Sequence, residues 1–389
     1  MSQYRYLFYD LLTNVAVAEL SLTSVNFSKQ LNSAGTFTGD LLISDQSEFV
    51  ENIIFNTRPG KTALYVERSD TANGLAPSLV WGGIIWGRSY DSVGQKIQLT
   101  AREFESYFER IFVKAYQLTG NTNDKAATFN NVDQLLVAES LFSAAQSPSG
   151  GVSDIGVYVT GLASNPVQPV TRTYYDYEHK TYFQAVQDLS QADNGFDFNV
   201  NVYYDANGVP RKILNVAYPQ LGVRYKATET DATVFQFPGN IVSYTYAEDS
   251  ATQTNTAYTL GSGSNEAQIV GLAYGASIGD HYPASWPQLE EAYSFTDYYD
   301  QTLLNQLAAG RIAAFDYPVT TLNVVATASQ APWIGSFDVA DDIRVIINDD
   351  RFLTALDFIY RLTAITITPG ENGSAELVTL SLTLPTNVY

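Results

Sequence analysis

The stretch Trp81–Arg110, WGGIIWGRSYDSVGQKIQLTAREFESYFER, reads as strand, turn, strand, helix. Ile84, Trp86 and Tyr90 recur at even spacing, the period of a pleated strand with one buried face. Asp91-Ser92-Val93-Gly94 carries turn chemistry, with glycine available for positive φ. Ile97, Leu99 and Ala101 then alternate with Lys96, Gln98 and Thr100. From Glu103 the period changes. Phe104, Tyr107, Phe108 and Ile111 fall at i, i+3, i+4 and i+7, which predicts an amphipathic helix.

Toward the N-terminus, Tyr4–Tyr9 and Val15–Leu20 predict a hairpin turning through Leu12-Thr13-Asn14. Val25 and Phe27, then Phe37, Leu41 and Ile43, continue the strand pattern, and Asn52–Phe55 reads as a short helical turn. Thr62–Glu67 and Leu79–Trp86 are further strands. Several short antiparallel strands at turn spacing predict a closed or partly closed β-barrel over residues 1–115, ended by the helix from Glu103.

Residues 116–237 read as a helical insertion and a small α+β module. One helix is expected over Val132–Ala145, capped by Asn131, and another over Thr181–Ala192, stopped at Asn194-Gly195. Phe196–Val202 alternates strictly, turns at Asp205–Gly208 and returns through Ile213–Val216. Residues 238–389 form a second β-barrel region. It has strands at Ile241–Tyr246, Thr256–Leu260, Thr321–Ala326 and Ile343–Ile347, a helix over 298–314, and a final hairpin from Leu362–Ile367 to Leu377–Leu384. The expected fold class is mainly β with α+β elements.

The chain has 389 residues, room for two or three cores, and its 45% hydrophobic and 13% aromatic content excludes wholesale disorder. Abundant Tyr (27) and Phe (20) favour strands. The net charge of −20 has the wrong sign for stable nucleic-acid binding, which rests on neutralising phosphates, and it disfavours anionic membranes. With no cysteine there are no disulfides or thiolate metal sites, and two histidines, His179 and His281, give little for a histidine cluster. No signal peptide and no membrane span is evident, so a soluble protein made in a reducing cytoplasm is expected.

Catalytic signals are weak. Glu248/Asp249 and Glu290/Glu291 could serve as a glycosidase pair, which needs two carboxyls about 5–10 Å apart in a cleft. Among 41 acidic residues, adjacency by chance explains such pairs better. His179 precedes a helix and reads as a packing or capping residue, not a general base. Asp338-Val-Ala-Asp341-Asp342 lacks the glycine and distal glutamate of a calcium loop, and Gly261-Ser-Gly-Ser264 lacks the strand and lysine of a phosphate cradle. No catalytic residue, cofactor or metal is expected.

The order of pieces resembles the minor tail proteins of long-tailed, siphovirus-type actinobacteriophages, in the family related to the baseplate hub of contractile-tailed phages. The matching segments are LFYDLLTNVAVAELSLTSVNFSKQLNSAGTFTGDLLIS, the Trp81 stretch, AVQDLSQADNGFDFNV, and the closing order TLLNQLAAGRI, strand, IGSFDVADDIRVIIND, hairpin. The resemblance implies two tail-tube-like β-barrels per chain and a ring of three chains matching a six-fold tube. It also implies a distal tail protein, a tape-measure protein and other tail-tip proteins as partners, with a place at the tail tip of the virion. DNA would be met only in transit during ejection. Alternatives are the six-fold distal tail protein and a receptor-binding or glycan-degrading tip protein.

A ring that conducts DNA should repel it, because DNA carries roughly one negative charge per 1.7 Å. The candidate lumen carboxylates are Glu290, Glu291, Asp297, Asp300, Asp341, Asp342, Asp349 and Asp350; they could equally solvate outer turns. The tyrosine clusters Tyr174/Tyr175/Tyr177, Tyr203/Tyr204 and Tyr298/Tyr299 are candidate inter-subunit contacts, since an aromatic ring buries much area with little rotamer loss. Glycan stacking and packing within a barrel are the competing roles.

Overall fold

The computed structural model describes residues 2–43, 47–147, 154–159, 168–192, 194–225, 233–278, 286–352, 354–371 and 373–384. His281 and most of the loop 147–151 lie outside them.

The first segment runs β1 (Gln3–Asp10), β2 (Ala16–Leu20), β3 (Thr23–Gln30), β4 (Thr36–Leu42), α1 (Ser47–Asn56), β5 (Thr62–Asp70), β6 (Leu75–Asp91), β7 (Lys96–Glu103) and α2 (Glu105–Phe108). Each predicted strand is present. The β1–β2 turn uses Asn14 at φ 53°, a left-handed position that asparagine tolerates. The helix predicted from Glu103 shrinks to the single turn of α2. Its later residues are taken by tertiary backbone pairing: Tyr182 N donates to Ile111 O (3.0 Å) and Val113 N to Lys180 O (2.8 Å).

The middle segment runs α3 (Ala115–Thr119), β8 (Ala126–Asp133), α4 (Gln134–Gln146), β9 (Val157–Val159), β10 (Pro169–Tyr175), α5 (Tyr182–Ser190), β11 (Asp197–Tyr204) and β12 (Pro210–Ala217). The cap of α4 is Asp133, which accepts from Leu135 N at 2.8 Å, and not Asn131. Asn131 lies in the unforeseen strand β8. Thr181 and Gln184 form a capping box on α5. α4, α5 and the β11-β12-β9 sheet close over Val137, Leu141, Phe142, Val186 and Phe198, a core that also takes in Leu7, Tyr65 and Phe104 from the first segment.

The last segment runs β13 (Val234–Phe237), β14 (Ile241–Asp249), β15 (Thr256–Leu260), β16 (Val270–Tyr274), β17 (Glu290–Ser294), α6 (Gln301–Phe315), β18 (Val319–Thr327), β19 (Asp342–Ile347), β20 (Leu356–Thr368) and β21 (Leu377–Thr383). The small sheet β16-β15-β17 lays Ala257 and Ala273 on Ala308 and Ile312 of α6. Asp300 caps α6 through Thr302 N (2.8 Å).

The fold is mainly β, 47% strand and 17% helix. The first and last segments do not stand apart as two barrels. They share one 13-stranded sheet, β14-β18-β21-β20-β3-β4-β7-β6-β5-β1-β2, with β13 and β19 joined to it through β20. Among the described residues this path of pairings is open, and no ring closes. Its seam is β20 on β3, Ala364–Ile367 opposite Gln30–Phe27. Strand β20 spans 13 residues, long enough to pair with β19 at one end and with both β21 and β3 at the other. One hydrophobic core follows, from Phe8, Phe27, Phe37 and Trp81 across to Leu322, Val345, Leu362 and Leu380.

The two glycines after Trp81 allow close approaches, Gly82 where the middle segment meets β6 and Gly83 against the neighbouring strand β7. A Cβ on Gly82 would lie 2.7 Å from Val202 Cγ1 of β11, and one on Gly83 would lie 2.2 Å from Arg102 O. Gly82 therefore lets the middle segment's hairpin approach β6 closely. Gly82→Val is expected to cost about 1–3 kcal/mol, as overpacking does. Chemical denaturation should read that loss, and hydrogen exchange should rise first across residues 197–204.

Candidate functional site

Charge is sparse in this chain, and much of it is spent inside, where the segments meet. Arg68 on β5 is 2% exposed and donates two hydrogen bonds to Glu376, Nε to Oε1 and Nη2 to Oε2, each 2.8 Å. This two-pronged geometry suits a guanidinium and a carboxylate. Ser2 Oγ (2.8 Å) and the Tyr4 hydroxyl complete the same carboxylate. Arg361 on β20 donates to Asp197 on β11, which also accepts from Asn32 Nδ2 (3.1 Å) and Leu221 N (2.9 Å). One pair locks first segment to last, the other middle to last.

A third cluster surrounds a cavity of about 200 Å³ lined by Lys29, Trp81, Glu103, Asn201, Phe337 and Asp338, among others. Lys29 Nζ donates to Asp338 Oδ2 (2.5 Å) and Asn201 Oδ1 (3.2 Å). Burial alone would lower the Lys29 ammonium, but Asp338, Glu103 and Glu105 outweigh it and hold it above its ordinary value. Burial, then the charge of Glu105, pushes Glu103 well up, although it accepts from Gly35 N at 2.7 Å. Burial likewise raises Glu105 to about 7, against the Val200 amide bonded to its Oε1 at 2.5 Å. These carboxylates hold the chain's own amides and lysine; their hydrogen bonds are directed at the fold, not at a guest.

The candidate lumen carboxylates separate into two kinds. Asp342 is buried, and Asp341 is half-buried and accepts from Val223 N (2.7 Å) and Asp338 N (2.9 Å). Burial raises both. Asp349 accepts from the Tyr244 hydroxyl and from Arg351 N (3.0 Å). Asp300 is exposed but occupied as the α6 cap. Glu290, Glu291, Asp297 and Asp350 are exposed and have no Lys or Arg within 4.0 Å among the described residues. They are free to set a surface potential.

The tyrosines converge more than their spacing suggested. Tyr175 stacks on Tyr177 (5.2 Å between centroids) and meets Tyr299 edge-on (6.5 Å), so the end of β10 touches the approach to α6. Tyr298 donates to Asp188 Oδ2 (2.6 Å), and Lys180 donates to both that hydroxyl and that carboxylate at 2.9 Å. Tyr174 is buried against Phe129, and Tyr204 donates to Glu67 Oε2 at 2.5 Å. Tyr174, Tyr204 and Tyr298 thus serve packing within the chain. Tyr177, Tyr203 and Tyr299 remain exposed, at 60%, 41% and 58%. His179 is exposed at φ 48°, with its ring edge-on to the exposed Phe112 at 5.6 Å.

Sequence reading missed the interior charges, yet a signal existed. Ile97, Leu99, Ala101 and Glu103 share a strand face, as do Val25, Phe27 and Lys29. A charge at the next inward position forecasts a buried, partnered ion.

No protein-family model matches the chain, and no curated protein matches it by sequence. Solved structures do. The tail protein from Neisseria meningitidis MC58 superposes with a TM-score of 0.55 at 10% identity, covering 98% of this chain and 96% of that one. The 43 kDa tail protein of prophage MuSo2 from Shewanella oneidensis gives 0.57 at 11% identity over 99% of both chains. The chain has the fold of these tail proteins. A chain of the half-lidded Francisella PdpA–VgrG complex gives 0.54 at 7% identity, with 100% of this chain matching 58% of that one. No helix of the described residues is long and apolar enough to cross a membrane.

Glu105, buried beside the Lys29 cluster, gives stability a pH dependence with a definite sign. Glu105 titrates near 4.5 when unfolded and about 7 when folded, so the fold favours its protonated form. Its contribution is full below pH 4.5 and is lost as pH rises through about 7. Denaturant midpoints taken from pH 4 to 8 should show Glu105→Gln losing less stability than wild type over that interval. Parallel curves would refute this.

Proposed function

We propose that this chain is a structural protein of a phage tail tip: the hub, a ring of three copies that joins the tail tube and distal tail protein to the tip and conducts DNA during ejection. The observation that carries this is the whole-length likeness to two tail proteins, end to end in both partners. A likeness confined to one segment would describe a borrowed module; this one takes in all three segments. The protein would be made in the host bacterial cytoplasm and reside in the virion. Its neighbours would be the distal tail protein, the tape-measure protein and other tip proteins, and its work would be shape and repulsion, not bond-making. The siphovirus-type actinophage setting rests on the sequence resemblance.

Two outcomes test the reading. Native mass spectrometry of the purified chain, or a symmetry-resolved image of the particle, should give three copies; six would turn the assignment to the distal tail protein. The second concerns the passage. We place Asp297 and Asp350 on its wall, since both are exposed and lack a cation. Wild-type rings should release short duplex DNA at physiological salt, whereas D297K/D350K rings should retain it, because added cations release condensed counterions. Equal release by both would remove those residues from the wall. Hydrolysis of host cell-wall glycans by the pure protein would favour the glycan-degrading alternative.

A further inference from the structure

The charge of the chain is divided unevenly along it. Residues 58–114 contain eight Lys/Arg against six Asp/Glu, and residues 238–318 contain nine Asp/Glu against one Arg. In the first stretch several arginines gather around aromatic rings. Arg58 Cζ lies 3.9 Å from the Phe55 ring centroid and Arg110 Cζ lies 5.2 Å from that of Trp86. Arg88 Nη1 reaches Thr57 Oγ1 (3.3 Å) and the carbonyl of Ile54. None of the three has a carboxylate within 4.0 Å among the described residues. A guanidinium has five donors, so most remain unused. Ile54 and Phe55 beside them are 42% and 59% exposed.

The acidic stretch presents the complement. One face of the β15–β17 sheet packs on α6 through Ala257 and Ala273. By register the other face puts Tyr258 beside Leu272 and Ala292. Among the described residues it stays open: Val270, Leu272 and Tyr274 are 38%, 38% and 66% exposed. Glu290 lies at one end, accepting from the Tyr258 hydroxyl at 3.1 Å, and exposed Glu266 occupies the turn between β15 and β16. An apolar centre with a charged rim is the anatomy of a protein interface, and aromatic and Arg anchors dominate such contacts.

We propose that the Arg58–Arg88–Arg110 face of one copy seats on the outer face of the β15–β17 sheet of the next copy. The inference rests on the ring reading above and names its contact. Two different surfaces meet, so the interface is head-to-tail, the kind that generates rings. Opposite charges select the register and repel like faces.

A charge swap tests it. R58E/R110E alone and E266K/E290K alone should each weaken self-association on the order of tenfold or more, read by sedimentation velocity, as charge reversal at an interface does. The four substitutions together restore complementarity and should restore the wild-type oligomer. Circular dichroism and thermal melts check that each variant folds. A second arm avoids charge altogether: in this cysteine-free chain, R110C mixed with L272C should give covalent dimers with a short bis-maleimide. An oligomer untouched by either reversal, a folded quadruple variant that stays dispersed, or no cross-link overturns the contact. A six-copy ring that obeys the swap overturns the hub but keeps the contact.

Discussion

The backbone pairing of β20 with β3 is the constraint from which the rest of the architecture follows. It brings Ala364–Ile367 beside Phe27–Gln30 across more than three hundred residues of sequence. Once those strands share hydrogen bonds, the sheets on either side become one surface with one interior. Phe27, Trp81, Leu362 and Leu380 then shield each other from water. Neither end segment completes its own core. The middle segment is drawn in at Gly82, where the missing side chain leaves room for Val202.

Ions fasten the same junctions. Arg68–Glu376, Arg361–Asp197 and Lys29–Asp338 each join different segments, and Arg68 and Glu376 are almost wholly withdrawn from water. Burying a charge is costly unless geometry and extra hydrogen bonds compensate, so such pairs are weak stabilisers but demanding specifiers of register. Here each carboxylate also accepts from backbone amides or hydroxyls. Burial pushes both Glu103 and Glu105 upward, with the charge of Glu105 adding to the shift at Glu103, so the fold favours the protonated form of this pair.

The surface is acidic because the chain carries a net charge of −20, even though it buries more carboxylates than cations. If the chain is the hub proposed above, an acidic passage would keep a polyanion moving, and a basic, aromatic face beside an otherwise acidic body would give one copy a reason to bind the next.

The local grammar of this protein was legible in its residues. Alternation in Ile97-Gln98-Leu99-Thr100-Ala101 and the turn at Asp91–Gly94 gave β6 and β7. The helix pattern over Thr181–Ala192 with its stop at Asn194-Gly195 gave α5, and the last hairpin was clear from Leu377–Leu384, because strand period and helix stops are set within a few residues. The helix at Phe104–Ile111 failed where remote backbone groups, Lys180 O and the Tyr182 amide, competed for Ile111 and Val113. Strands β16 and β17 escaped because β16 puts Gly271 and Ala273 on its covered face and Val270, Leu272 and Tyr274 on its exposed one, and β17 is almost wholly exposed, so neither shows an apolar-in pattern. Of the nominated carboxylates, Asp342 proved buried and Asp341 half-buried while others remained at the surface, a distinction that sequence proximity does not contain. Mainly-β class, acidic balance and the absence of cysteine were fixed by the residues alone. Which strands share a sheet, which ions meet and which faces stay uncovered were decided only in three dimensions, because pairings between distant positions depend on the closure of the whole chain.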